Sequence, residues 1–162
     1  MQISKNFTLQ ELTRSNVAMR LGISNQPTQD GIQKLTMMAN GLLQPIRKEL
    51  GPIRITSGYR SPELNMAIGG SSNSQHCRYE AVDCQFYKKG KMDNVKIYEA
   101  IKKLDLDFDQ LILEFGTSTE SIDGDPAWIH VSYKITDNRQ QVLVAYKDKN
   151  NKTKYRNPIQ LI

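Results

Sequence analysis

A change of hydrophobic period near residue 50 limits the fold of this chain more than any other feature. From Thr28 onward, apolar residues fall at Ile32, Leu35, Ala39, Leu42, Leu43 and Ile46, the spacing of one helix face. After Gly51-Pro52 the period shortens to two. Ile53 to Thr56, Ala81 to Phe86, Gln110 to Phe115, Trp128 to Lys134 and Gln141 to Lys147 then read as strands, with Thr153 to Arg156 as an edge strand. A second helical face, Ile97, Ala100, Ile101 and Leu104, interrupts them behind a cap at Asp93 or Asn94. Helices first and mostly hairpin-connected strands afterwards predict an α+β domain, an antiparallel sheet packed against helices.

Local punctuation refines this order. Thr8-Leu9-Gln10-Glu11 is a capping box that starts a short helix. Pro45 is expected to kink or interrupt the long helix near its end. Ser61-Pro62-Glu63 supplies an N-cap, a first-turn proline and a first-turn acid for a helix that Gly69-Gly70 ends. The Gly-rich run from 69 to 74 lacks the Gly-Lys-Ser/Thr ending of a phosphate loop, so it reads as a flexible connection. No repeat or linker divides the chain, and residues 1–162 are expected to form one domain and a monomer.

Charge and hydropathy exclude several classes. No apolar run approaches the roughly 18 residues that cross a bilayer, and Met1-Gln2-Ile3-Ser4-Lys5 lacks the apolar core of a secretory signal. The net charge of +5 reads first as a solvated surface and next as attraction to a polyanion such as nucleic acid, anionic lipid or cell-wall polymer. No nucleic-acid-binding signature accompanies it, so no specific nucleic-acid partner is expected. Cys77 and Cys84 do not form a C-x-x-C pair; free thiols are expected, with Cys84 on the face opposite Asp83.

The chemistry concentrates in two segments. Thr56-Ser57-Gly58-Tyr59-Arg60-Ser61-Pro62 leads to Ser74-Gln75-His76 and then Asp83, and Trp128-Ile129-His130-Val131-Ser132 follows near the other end. The chain has two histidines, and each falls in one of these segments. His76, Asp83 and His130 are three ligands of the types that hold a catalytic zinc with one position open. Water at such a position has its pKa lowered to about 7, which provides a nucleophile without a serine or cysteine. Strand alternation puts Trp128, His130 and Ser132 on one face and Ile129, Val131 and Tyr133 on the other.

These segments resemble the zinc D-alanyl-D-alanine carboxypeptidase family, which also includes phage L-alanyl-D-glutamate endolysins and, more distantly, the hedgehog signalling domain. Phe7-Thr8-Leu9-Gln10-Glu11-Leu12 and Phe108-Asp109-Gln110-Leu111-Ile112, followed by Glu114-Phe115-Gly116, resemble its single-domain, phage-type branch. The resemblance runs from about Phe7 to Tyr146. It implies a zinc-dependent peptidase of peptidoglycan stem peptides, removing a terminal D-Ala or cutting the L-Ala-D-Glu bond. A non-catalytic, zinc-containing wall-binding module on the same fold is the alternative. A phage gene would suit the small size and the basic charge.

Glu114 is the first candidate for the general base, because a carboxylate among Leu111, Ile112, Leu113 and Phe115 is costly without a purpose. The resemblance agrees with that role, and Asp125, five residues before His130, is its rival. Arg60 is expected to stabilise an oxyanion or clamp a substrate carboxylate, and the resemblance implies the former. Ser74 and Trp128 are expected to contact substrate. Gln75 has no expected role. Relatives commonly carry Gly at the position of Tyr79, so the loop there is expected to differ if the backbone needs a positive φ. The segment from Thr117 to Ala127 is long enough to form a rim or lid.

Overall fold

The computed structural model describes residues 1–116 and 126–158. The capping box is formed: Glu11 N–H donates to Thr8 Oγ1, Thr8 N–H donates to Glu11 Oε2 at 2.8 Å, and α1 runs Leu9–Thr13. A second short helix, α2 (Asn16–Leu21), follows. Its signals were present in the sequence: Ser15 accepts from Ala18 N–H, and Gly22 ends it in the left-handed region at φ 67°.

The long helix starts at Thr28, whose hydroxyl accepts from Gly31 N–H, and runs through α3 (Gln29–Met38) to α4 (Gln44–Leu50). The expected interruption takes the form of a π turn, Ala39–Leu43, just before Pro45. Pro45 has no N–H to donate and its ring would crowd the preceding turn, which the wider π turn relieves. Leu35, Met38, Ala39, Leu42, Leu43 and Ile46 are fully buried, so the periodic face is the one that covers the sheet.

The strands are β1 (Ile53–Ser57), β2 (Ala81–Lys88), the short β3 (Lys91–Met92), β4 (Gln110–Glu114), β5 (Trp128–Ser132), β6 (Gln141–Lys147) and β7 (Thr153–Arg156). Two helices lie between them, α5 (Pro62–Ala67) and α6 (Val95–Lys103). The sheet order is β1-β2-β5-β4-β6-β7, with β3 as a hairpin extension of β2. Every pairing is antiparallel except that of β4 with β6, so the sheet is mixed and largely antiparallel. The exception has a spatial cause. β5 is already flanked by β2 and β4, so β6 crosses beyond β4 and pairs along its far edge in the same direction.

One sheet face carries Val82, Cys84, Leu111, Leu113, Ile129, Val131 and Val144, and with the helices it forms the core. The other presents Asp83, Ile112, Glu114, Trp128 and His130, as the register Asp83↔His130↔Ile112 and Trp128↔Glu114 requires. Two details differ from the expected helix at 95–103. Leu104 is 36% exposed rather than part of the core. Asn94 turns its side chain away from the helix start, accepting from Phe86 N–H at 2.7 Å and donating to the Pro126 and Ala127 carbonyls.

Candidate metal centre

His76 sits in a 3₁₀ turn, Gln75–Arg78, and is 3% exposed. Its Nδ1 lies 2.7 Å from the Gly58 carbonyl. A carbonyl can only accept, so Nδ1 carries the proton and Nε2 is left free to bind. Gly58 is needed here because the backbone of Leu12 packs against it: a Cβ would lie 2.2 Å from the Leu12 carbonyl oxygen. The turn ends at Tyr79 with φ 64°, so the left-handed backbone is kept despite the bulky residue. The Tyr79 ring stacks on Tyr59 at 4.1 Å, and its hydroxyl accepts from Thr28 N–H. That packing offsets the roughly 1–2 kcal/mol cost of the conformation.

Asp83 and His130 face each other across β2 and β5. Asp83 Oδ1 lies 3.0 Å from His130 Nδ1 and 3.4 Å from His76 Nε2. The three ligand atoms fall within 4.8 Å of one another. Burial alone would push the Asp83 carboxyl up, yet the hydrogen bonds and charges of His130 and His76 hold it well below the usual carboxylate range. An ionised oxygen and two imidazole nitrogens that converge in a buried site are the donor set zinc takes, and the Gly58 carbonyl behind His76 fixes one ring for it.

Arg60 donates from Nη2 to Asp83 Oδ2 at 2.9 Å and from Nε to Ser57 Oγ at 2.9 Å. It therefore holds the ligand carboxylate in place. Glu114 is 9% exposed at the end of β4, on the same face as His130. Burial pushes its carboxyl up to about 7; the charges of His130 and Lys147 pull it down and that of Asp83 raises it. Trp128, opposite Glu114, packs edge-on against Phe115 with ring centroids 5.4 Å apart. Ser74 opens the 3₁₀ turn and accepts from Cys77 N–H through its carbonyl. Cys77 and Cys84 are both free, and Cys84 is buried on the core face. Asp125 and Asp123 lie outside the described residues, as does most of the expected rim from 117 to 127.

Sequence reasoning missed a second polar cluster that steadies the first. Asp109, 1% exposed, accepts from Gln75 Nε2 at 2.9 Å, from the Arg139 guanidinium and N–H, and from Lys134 Nζ at 3.0 Å. Gln75 precedes His76, so Asp109 ties the turn that carries this ligand to the start of β4. The partners lie 34 and 30 residues from Asp109 in sequence, a separation at which no local pattern announces a contact.

An α+β fold whose sheet face converges two histidines and an aspartate beside a protonatable glutamate defines a metallopeptidase-like architecture. The chain matches the peptidase M15 family over residues 5–132 and belongs to that family. It is 36% identical over 80 residues to the zinc D-Ala-D-Ala carboxypeptidase of Streptomyces albus G. That stretch covers 48% of this chain and 30% of the relative, so the similarity spans less than a third of the relative's length.

Proposed function

We propose that this protein is a zinc peptidase that hydrolyses peptidoglycan stem peptides, by removal of a terminal D-Ala or by cleavage of the L-Ala-D-Glu bond. The observation that carries the proposal is the convergence of one ligand atom each from His76, Asp83 and His130 within 4.8 Å, with Asp83 and His130 on the sheet face that also holds Glu114. Membership of the M15 family and the activity named for the Streptomyces relative support it. The basic charge of +5 and the resemblance to the phage-type branch support a lysis role in a phage or prophage.

His76, Asp83 and His130 would hold the zinc, which when bound supplies a Lewis acid that acidifies water to about pKa 7 and polarises a carbonyl. Glu114 accepts the proton of the attacking water and returns it to the leaving amine. Burial raises this carboxyl above the usual range in the metal-free protein, which favours proton exchange over a surface carboxylate, and such general acid–base catalysis contributes typically 10²- to 10⁴-fold. Arg60 orients Asp83, and the guanidinium N–H groups that this bond leaves over serve the negative charge that grows on the scissile carbonyl oxygen. Trp128 and Ser74 border the substrate.

The test is mass spectrometry of purified peptidoglycan fragments incubated with zinc-loaded protein, beside a Glu114→Ala sample of confirmed metal content. Loss of one alanine or a cut within the stem, absent in the variant, is the expected result and names the bond. Intact fragments from every wall type, despite bound zinc, overturn the peptidase and leave a wall-binding module.

A further inference from the structure

We propose that the outer edge of β1 is a binding subsite that takes the extended backbone of a carboxylate-bearing peptide and leads it to the metal centre. This rests on the peptide substrate proposed above and adds where the chain on one side of the scissile bond lies.

The free edge follows from the register. β1 ends the sheet and has β2 as its strand neighbour. Just before β2, Glu80 C=O accepts from Tyr133 N–H, which continues β5, and within β2 Phe86 spends its N–H on Asn94 and its C=O on Asp93 N–H. The even-numbered residues of β2 thus direct their backbone groups away from β1, and Asp83 and Gln85 direct theirs toward it. Gln85 pairs with Arg54 and Asp83 with Ser57, so Ile53 and Ile55 are left with N–H and C=O pointing outward. A strand edge that no other described strand pairs with is a template for another extended chain.

The edge does not open onto a flat surface. A groove of about 710 Å³ follows it, lined by every residue of β1, by Arg14 just after α1, by Val17 of α2, by Leu64 of α5 and by Ile68 just after α5. Five strand residues at about 3.3 Å each span roughly 16 Å, room for three or four residues of a peptide. The groove reaches Ser57 and Arg60, and Arg60 is bonded to the ligand Asp83. A bulge between Ile55 and Ser57 bends the strand at that end, a device that re-aims a chain beside a site.

Its charge selects the occupant. Arg14, Arg54 and Arg60 line the groove, and the acid among its lining residues is Glu11. The Glu11 carboxylate is already bound to Thr8 N–H and Oγ1 at 2.8 and 2.7 Å. Arg14 and Arg54 are exposed and make no ion pair with a described residue. An extended peptide with carboxylates near its backbone matches both the donors of the edge and the two guanidiniums.

The probes are a synthetic stem pentapeptide carrying two carboxylates and its terminal dipeptide. Binding to zinc-loaded Glu114→Gln protein is measured by calorimetry, and amide hydrogen exchange is followed with and without peptide. The pentapeptide is expected to slow exchange at Ile53 and Ile55. Combined Arg14→Ala and Arg54→Ala substitution is expected to weaken the pentapeptide about tenfold or more and to leave the dipeptide unchanged. Ile55→Pro, which removes an outward N–H at an edge where proline is tolerated, is expected to weaken the pentapeptide as well. Absence of pentapeptide binding, or binding without protection of Ile55 and with no loss in the arginine variant, overturns the subsite. Cleavage of wall peptides is read separately on unsubstituted protein. Cleavage without protection at β1 overturns the subsite alone, and protection without cleavage supports the subsite and overturns the peptidase.

Discussion

Replacing Glu114 by Gln tests the buried carboxyl in a way that activity alone cannot. The side chain is 9% exposed, and burial moves its pKa from 4.5 to about 7. In the unfolded chain the proton leaves near 4.5. Between that value and 7 the folded, metal-free protein therefore holds a proton that the unfolded chain has released, and stability falls as the pH rises. At about 1.4 kcal/mol per pKa unit, the wild type in chelator should lose between about 2 and 3 kcal/mol from this group between pH 5 and pH 8. Glu114→Gln keeps the size and cannot ionise, so the variant should escape that loss. Urea denaturation of both proteins in chelator at several pH values measures it, and the stability difference should grow in favour of the variant as pH rises. Curves that stay parallel would show that Glu114 is solvated like an ordinary surface acid, and the reasoning that makes it a neutral-pH proton carrier would fail with them.

Three other outcomes follow from the geometry. Asp109→Asn should destabilise the fold by about 2–4 kcal/mol in urea, because Arg139, Lys134 and Gln75 lose a buried charged acceptor. Although burial opposes ionisation there, those hydrogen bonds hold the Asp109 carboxyl well below the usual range. The wild type should thus keep the contribution above pH 4 and lose it as the pH falls further, and the Asn variant should show no such acid-side loss. Zinc at a thousandfold excess over its Kd should raise stability by about 4 kcal/mol; calorimetry should show one equivalent bound, and His130→Ala should abolish both effects. Tyr79→Gly should lower stability by about 2–3 kcal/mol even though it removes the positive-φ strain, because the stack on Tyr59 and the contact with Thr28 are lost; a stabilised variant in thermal denaturation would contradict this.

Several features of the fold and site were legible because their cause is local. The capping box at Thr8 and Glu11, the helix face from Ile32 to Ile46 and the Ser61-Pro62 start each depend on residues within a turn or two of one another. The candidate ligands were legible too, since the chain has only two histidines and each stands in a motif beside polar residues that an ordinary loop or strand does not need. The antiparallel expectation for the sheet met its exception at β4 and β6 because alternation reports which face a residue occupies and not which strand lies beside it. The same holds for Asn94, whose side chain answers to the Phe86 backbone and to residues 32 and 33 positions away rather than to its own helix.

By itself, then, the sequence determined most element types, most of the core faces and which residue types were on offer as metal ligands, since these follow from backbone sterics and from periodicity over a few residues. Only the tertiary structure decided that β5 inserts between β2 and β4 and so sets His130 opposite Asp83. It also decided that Gly58 accepts from His76, that Asp109 anchors Gln75, and that Tyr79 tolerates a left-handed backbone by stacking on Tyr59. Those contacts join residues up to 47 positions apart. Each depends on the packing of the whole chain, in which burial leaves a polar group no partner but the one the fold brings to it.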